Sequence, residues 1–275
     1  MKCLVSLIGF GIFAGCTIGS SDPILDGGID AEAVDLRRIH DLTPAPSVTV
    51  TGQAVDESGT PIAMAWMSVC TPMGCHSVNA DGAGAFLISD IPLIHFGLRS
   101  HDDHEVVPRR GTVVRLLHGI QAATTLDAGT LYLPTMPAGA DLEAAMETSQ
   151  MLSTGDGLSL TVIRKNLDFS LASDQTTNLA SRKIPVEHIP PFDLGGEKVD
   201  TAFALWPYAV TSKSPIAVKV PVDLPSNTKV YFRTVYEFDG KLSDPVVGHV
   251  ASDGKSASTD PGLGISNLTW LLVSH

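Results

Sequence analysis

The first folded pattern in the chain is an alternation of apolar and polar side chains at residues 48–54, which is typical of a strand with one buried face. A cluster of turn-forming residues follows at 56–61, and an apolar run covers 62–70. Short strands separated by Gly, Pro and Asp continue beyond this point. The pattern predicts an antiparallel β-sandwich over residues 47–136.

A second alternating pattern begins at residues 158–163, and further apolar runs follow it at 202–206, 216–221, 230–238, 246–251 and 268–273. These runs predict a C-terminal antiparallel β-sandwich over residues 158–275. Between the two β regions, Asp141 is placed to cap a short helix over residues 142–152. The sequence therefore predicts an all-β protein of two sandwich domains joined by a helical linker at residues 137–157.

The first β region carries a family resemblance in two groups of residues: Gly52-Gln53-Ala54-Val55-Asp56 with Gly59 and Pro61, and Asp81-Gly82-Ala83-Gly84-Ala85-Phe86. It resembles a carboxypeptidase regulatory-like domain, although Met64 replaces the usual Gly. The resemblance implies a small prealbumin-like sandwich over residues 47–136. It also implies a structural or binding module, since the family offers no catalytic residues to carry over.

The C-terminal region carries a second resemblance at residues 248–254, residues 260–265 and Trp270. The segment is similar to C-terminal β-sandwich segments of large surface proteins from myxobacteria and their relatives, and distantly to a ZU5-type sandwich. The resemblance implies surface architecture and no particular reaction.

The N-terminal apolar run, residues 4–14, is too short to span a bilayer, which needs roughly 20 apolar residues. Lys2 precedes it and small residues end it, as in a secretion signal peptide covering residues 1–15. Residues 13–16 read Phe-Ala-Gly-Cys and resemble a bacterial lipobox. The resemblance implies that Cys16 is lipidated and becomes the first residue of the mature protein. An ordinary secreted protein with an incidental cysteine is the alternative.

Residues 16–46 are rich in Ser, Gly, Asp and Pro and show no sustained period, so we expect a flexible tether. Because Thr17, and not Asp, follows the lipobox cysteine, we expect a lipid anchor in the outer membrane of the cell envelope.

Cys70 and Cys75 are the cysteines left in the predicted mature domains, and they flank a Pro- and Gly-containing loop between two β runs. In an oxidising compartment this arrangement predicts a hairpin with a four-residue loop closed by a disulfide. A two-thiolate metal site with His76 is the alternative.

The chain has 18 Lys and Arg against 30 Asp and Glu, for a net charge of −12, which argues against nucleic acid as a partner. It contains no Gly-x-Ser-x-Gly elbow and no His-Glu-x-x-His motif. We therefore expect no enzymatic activity and no cofactor.

Three weaker sites remain candidates. His101 and His104, with His118, are metal-binding side chains that the fold could bring together. The Asp-containing turns near residues 253 and 260 are either calcium ligands or simple turns. Trp66 lies in a mixed strand and is the best candidate for an exposed aromatic side chain that binds a glycan.

These observations favour a lipid-anchored envelope protein with a non-enzymatic binding or structural role, and with an envelope protein or a glycan as its partner. Two alternatives stay open: a carbohydrate-active or peptidase-associated envelope enzyme, and a periplasmic metal-binding lipoprotein.

Overall fold

The computed structural model describes residues 47–71, 74–92, 96–100, 109–117, 125–170, 178–236 and 241–275. The signal peptide, Cys16 and the tether lie outside these residues, as do His101, His104 and His118. Ala45–His275 form one compact unit. The regular structure described is β-strand with two short 3-10 turns, at Arg164–Asn166 and Val186–His188, so the predicted all-β class is confirmed. Within the same residues no helix is long and apolar enough to cross a bilayer.

The N-terminal strands form two sheets, and their bounds are β1 (Ser47–Val55), β2 (Trp66–Thr71), β3 (Gly74–Asn79), β4 (Ala85–Pro92), β5 (Phe96–Ser100), β6 (Val113–Leu117) and β7 (Thr125–Tyr132). One sheet has the order β4-β1-β7 and the other has the order β3-β2-β5-β6. The β1–β7 pair is parallel, whereas the prediction was wholly antiparallel. Side-chain alternation reports which face of a strand is buried and carries no information on strand direction.

The C-terminal strands form a single 13-stranded sheet, and their bounds are β8 (Ala140–Asp141), β9 (Ser149–Gly155), β10 (Leu158–Ile163), β11 (Leu167–Asp168), β12 (Asn178–Ile184), β13 (Val199–Trp206), β14 (Val210–Pro221), β15 (Lys229–Tyr236), β16 (Lys241–Leu242), β17 (Val246–Val250), β18 (Ser256–Thr259), β19 (Ile265–Leu268) and β20 (Trp270–Ser274). The main order is β8-β12-β13-β20-β15-β17-β18-β14-β10-β9. Of the other three strands, β11 and β19 pair with β14, and β16 pairs with β15.

The large sheet curls until β9, at one end of the order, meets β12 near the other. The buried hydroxyls of Thr154 and Ser181 lie 2.8 Å apart across this junction, and the Ser181 hydroxyl donates to the Gly155 carbonyl at 2.9 Å. A Cβ on Gly155 would lie 2.4 Å from the Ser181 carbonyl oxygen. Glycine at this position therefore permits the close approach of the two strands.

The helix predicted over residues 142–152 is wrong. The end of that segment belongs to β9, where Gln150, Leu152 and Thr154 are buried in alternation and pair with β10. The Gln150 side chain accepts the Glu143 amide at 2.8 Å and donates to the Ala145 carbonyl at 3.0 Å. The hairpin of β9 and β10, joined by the two-residue Asp156-Gly157 turn, and this local bonding override the helix-cap signal at Asp141. The domain boundary predicted at 137–157 stays a prediction.

Two hydrophobic clusters fill the fold. The first contains Met67 and Leu98 from the N-terminal sheets together with Trp206 and Trp270 from the C-terminal sheet. The second lies within the C-terminal sheet, around side chains such as Phe203 and Phe232. Trp206 and Trp270 are thus core residues.

Candidate functional site

The disulfide predicted between Cys70 and Cys75 is present. The two residues are direct partners in the β2–β3 ladder, and their Cα atoms are 4.1 Å apart. Because Thr71 also pairs with Gly74, the loop between the strands is two residues long and not four. The disulfide leaves neither sulfur as a thiolate, which removes the alternative of a two-thiolate metal site.

Trp66 begins β2, opposite Asn79, and is half-buried. Its role in glycan binding stays a prediction. The predicted histidine site, with His101, His104 and His118, lies outside the described residues. Across the ranges that the structure does describe, no three metal-binding side chains come together.

The Asp-containing turns considered for calcium have partners within the protein. One carboxylate oxygen of Asp253 accepts the Lys255 amide at 2.9 Å, as in an ordinary turn. One carboxylate oxygen of Asp260 lies 2.7 Å from Nδ1 of His249. The Asp253 contact is that expected of a turn residue, whereas the Asp260 carboxylate contacts a side chain eleven residues away in the chain.

A cleft that the sequence did not predict lies between the N-terminal sheets and the rim of the large sheet. Its volume is about 610 Å³, and we name it the Tyr132 cleft; it is lined by Glu57, Tyr132, Asp156, Arg182, Lys183 and Pro185. These residues come from the turn after β1, the end of β7, the β9–β10 turn and the end of β12. The cleft therefore exists only in the folded chain.

Glu57 is held at one side of the cleft. Its carboxylate accepts the Thr135 amide and lies 3.9 Å from the guanidinium of Arg110. Burial is the largest single influence and by itself would raise the pKa of Glu57. The hydrogen bonds from Thr135 and from the backbone of Glu57 itself, together with the charge of Arg110, outweigh burial, so the pKa falls below its usual value. Glu57 is accordingly a fixed, ionised hydrogen-bond acceptor near neutral pH.

Asp156 and Arg182 form the opposite side. The Arg182 Nη1 atom lies 3.3 Å from the Asp156 carboxylate, and its Nε atom donates to the Thr135 carbonyl at 2.8 Å. The Lys183 amide also donates to Asp156, at 2.8 Å. Thr135 thus bonds both sides of the cleft, through its amide to Glu57 and its carbonyl to Arg182.

Tyr132 lies among these charged groups. Only 7% of its surface is exposed, and its ring stacks on His188 with centroids 4.3 Å apart and planes 4° apart. No residue in the described ranges hydrogen-bonds its hydroxyl, which is not sealed from solvent. Burial, and then the negative charge of Glu57, raises the pKa of Tyr132, so the phenol keeps its proton.

The sequence carries no signal for this cleft. Its residues are single polar positions in separate turns, and no motif links them. His188 is now seen to stack on Tyr132, a contact between residues 56 positions apart that no local pattern signals.

Comparison with known proteins gives little guidance. No family model matches the chain, and no curated protein matches it. Among solved structures it is similar to a 9R-lipoxygenase from Cyanothece, at 20% identity over 36% of this chain and 19% of the lipoxygenase, with a TM-score of 0.23. It is also similar to the major pilin subunit of Bacillus cereus, at 11% identity over 83% of this chain and 58% of the pilin, with a TM-score of 0.23. The chain thus spans less than two thirds of either protein, and at such low scores neither likeness carries an argument about function.

Proposed function

We propose that the chain is a lipid-anchored protein of the bacterial cell envelope, with a non-enzymatic binding or structural role. Cys16 carries the lipid, and the tether presents the β-sheet unit to an envelope protein or a glycan. In this proposal the N-terminal sheets are a carboxypeptidase regulatory-like module, and the C-terminal sheet is of the kind found in myxobacterial surface proteins. The outer membrane is the proposed location.

The observation that carries the proposal is the disulfide between Cys70 and Cys75. Structural disulfides persist in exported proteins and are rare in the reducing cytosol. The bond therefore supports export, which is also what the signal-like residues 1–15 predict. Stable anchoring needs two or more acyl chains, and the modification implied for Cys16 would supply them.

The test is metabolic labelling of cells that express the full chain, with radioactive palmitate as the probe. We expect label on the protein, and we expect Cys16→Ala to abolish it and to release the protein from the membrane fraction. Cys3→Ala is the matched control, because it removes the other N-terminal cysteine and should leave the labelling unchanged. Protease treatment of intact cells then reports which side of the outer membrane the protein faces.

Two results would contradict the proposal. Equal labelling of Cys16→Ala and the unsubstituted protein would show that Cys16 is not the lipidation site. Recovery of the unsubstituted protein in the cytosol, with reduced cysteines, would rule out the envelope altogether.

A further inference from the structure

We propose that the Tyr132 cleft binds an uncharged saccharide. This inference rests on the proposed binding role, for which it names the class of partner, and it does not depend on the lipid anchor. The cleft combines balanced charge, fixed polar groups, and a buried tyrosine ring whose hydroxyl has no partner in the described part of the chain.

The charges that line the cleft cancel. Glu57 and Asp156 contribute two negative charges, and Arg182 and Lys183 contribute two positive charges. An anionic ligand would be repelled by two carboxylates, and a cationic ligand would be repelled by two basic side chains. Either ligand would also lose the hydration of its charge on entering the cleft. A neutral ligand rich in hydroxyls avoids both costs and can use every group.

The acceptors of the cleft are fixed in place before any ligand arrives. Thr135 and Arg110 hold Glu57, while Arg182 and the Lys183 amide hold Asp156. A carboxylate has about four lone-pair sites, so each still has acceptor capacity for a ligand hydroxyl. Fixed acceptors lose little conformational entropy when a ligand binds. This small entropy loss helps the cleft to bind a polyol, whose individual hydrogen bonds are weak.

Besides the Arg182 guanidinium, the cleft has two further side-chain donors, the Tyr132 hydroxyl and the Lys183 ammonium. The Tyr132 ring is buried and stacked on His188, so its hydroxyl is held in one position. Its hydroxyl has no hydrogen-bond partner in the described part of the chain, and Lys183 shows no side-chain partner there either. A hydroxyl without a protein partner can bond a ligand hydroxyl, and the Pro185 ring offers apolar surface for the C–H face of a sugar.

The experiment uses the purified full chain in a zwitterionic detergent that has no sugar headgroup. The probes are a printed array of neutral and anionic oligosaccharides, and then calorimetric titration of the neutral glycans that bind. We expect binding to neutral glycans. We expect Tyr132→Phe to weaken it by about fivefold to tenfold, because it removes one hydrogen-bonding hydroxyl and keeps the ring and its stacking.

Two further variants make the result specific. Lys183→Ala removes an exposed donor from the cleft and should also weaken binding, with no effect on folding. Tyr231→Phe is the matched control: Tyr231 is a half-buried tyrosine of β15 whose ring faces Lys229 and Arg233, outside the cleft lining, and its substitution should leave affinity unchanged.

The proposal is overturned if no neutral glycan binds, if only anionic glycans bind, or if Tyr132→Phe and Lys183→Ala both bind as the unsubstituted protein does. These outcomes are separate from the palmitate test. Glycan binding by a chain that carries no lipid would contradict the proposed lipid anchor and support the proposed saccharide site. Palmitate labelling at Cys16 without glycan binding would support the lipid anchor and contradict the saccharide site.

Discussion

Arg233 and Glu197 form a bidentate ion pair. The Arg233 Nη1 and Nη2 atoms donate to the two Glu197 carboxylate oxygens at 2.6 and 2.9 Å. The Ser274 hydroxyl donates to the same carboxylate at 2.6 Å, and Arg233 is only 9% exposed. The contact joins β15 and β20 to the segment before β13, so it secures three neighbouring parts of the large sheet.

Glu197→Gln should destabilise the fold by about 2–3 kcal/mol. The amide keeps the shape of the carboxylate, but it removes the charge that compensates a largely buried guanidinium. The free energy of unfolding in urea measures the loss. The matched control is Asp223→Asn. It removes the negative charge of the exposed ion pair between Asp223 and Lys255, which are 2.6 Å apart, and we expect no measurable change in the free energy of unfolding. Equal losses in the two variants would show that the burial of Arg233 is not the cause.

The same pair predicts how stability depends on pH. The hydrogen bond from Arg233 holds the pKa of Glu197 below its ordinary value of 4.5. A carboxyl whose pKa is lowered by folding contributes fully above its unfolded pKa, and this contribution disappears as the pH falls through the folded pKa. The stability gap between the unsubstituted protein and Glu197→Gln should therefore be constant near neutral pH and should narrow below 4.5. A gap that is independent of pH would contradict the prediction.

Trp270 and Trp206 provide a comparison of two buried indoles. Trp270 Nε1 donates to the Thr112 carbonyl at 2.7 Å, whereas the buried Trp206 Nε1 has no hydrogen-bond partner within the described ranges. Replacement by Phe removes similar volume at both sites but breaks a hydrogen bond only in Trp270→Phe. We expect that variant to lose about 1 kcal/mol more than Trp206→Phe in urea unfolding. An equal loss would mean that the Thr112 contact contributes nothing net.

The Cys70–Cys75 disulfide closes a short loop, with a sequence separation of 5. Loop-closure entropy then gives roughly 2 kcal/mol, near the lower end of the usual range. The double variant Cys70→Ala with Cys75→Ala should show this loss, and reductant should bring the unsubstituted protein to the same unfolding midpoint. The double variant itself is the control, since reductant should not affect it. A midpoint that is insensitive to reductant in both proteins would show that the bond does not form in solution.

The all-β class and the disulfide follow from local patterns. Alternation with a period of two at residues 48–54 and 158–163 requires a strand with one buried face, and β1 and β10 lie there. Cys70 and Cys75 are five residues apart across a turn, so the hairpin itself brings the sulfurs together. The error at residues 142–152 arose because a helix-cap signal at Asp141 competed with a local β-hairpin, in which β9 and β10 are joined by the Asp156-Gly157 turn.

The sequence by itself determined the strand-rich character of the chain and its cysteine pairing, because each depends on neighbouring residues. Only the tertiary structure decided the parallel β1–β7 pair, the closure of the large sheet at Thr154 and Ser181, and the Tyr132 cleft. These features depend on which distant strands pair and in which direction. The pairing of distant strands is set by the burial of the whole core, so no single stretch of residues predicts it.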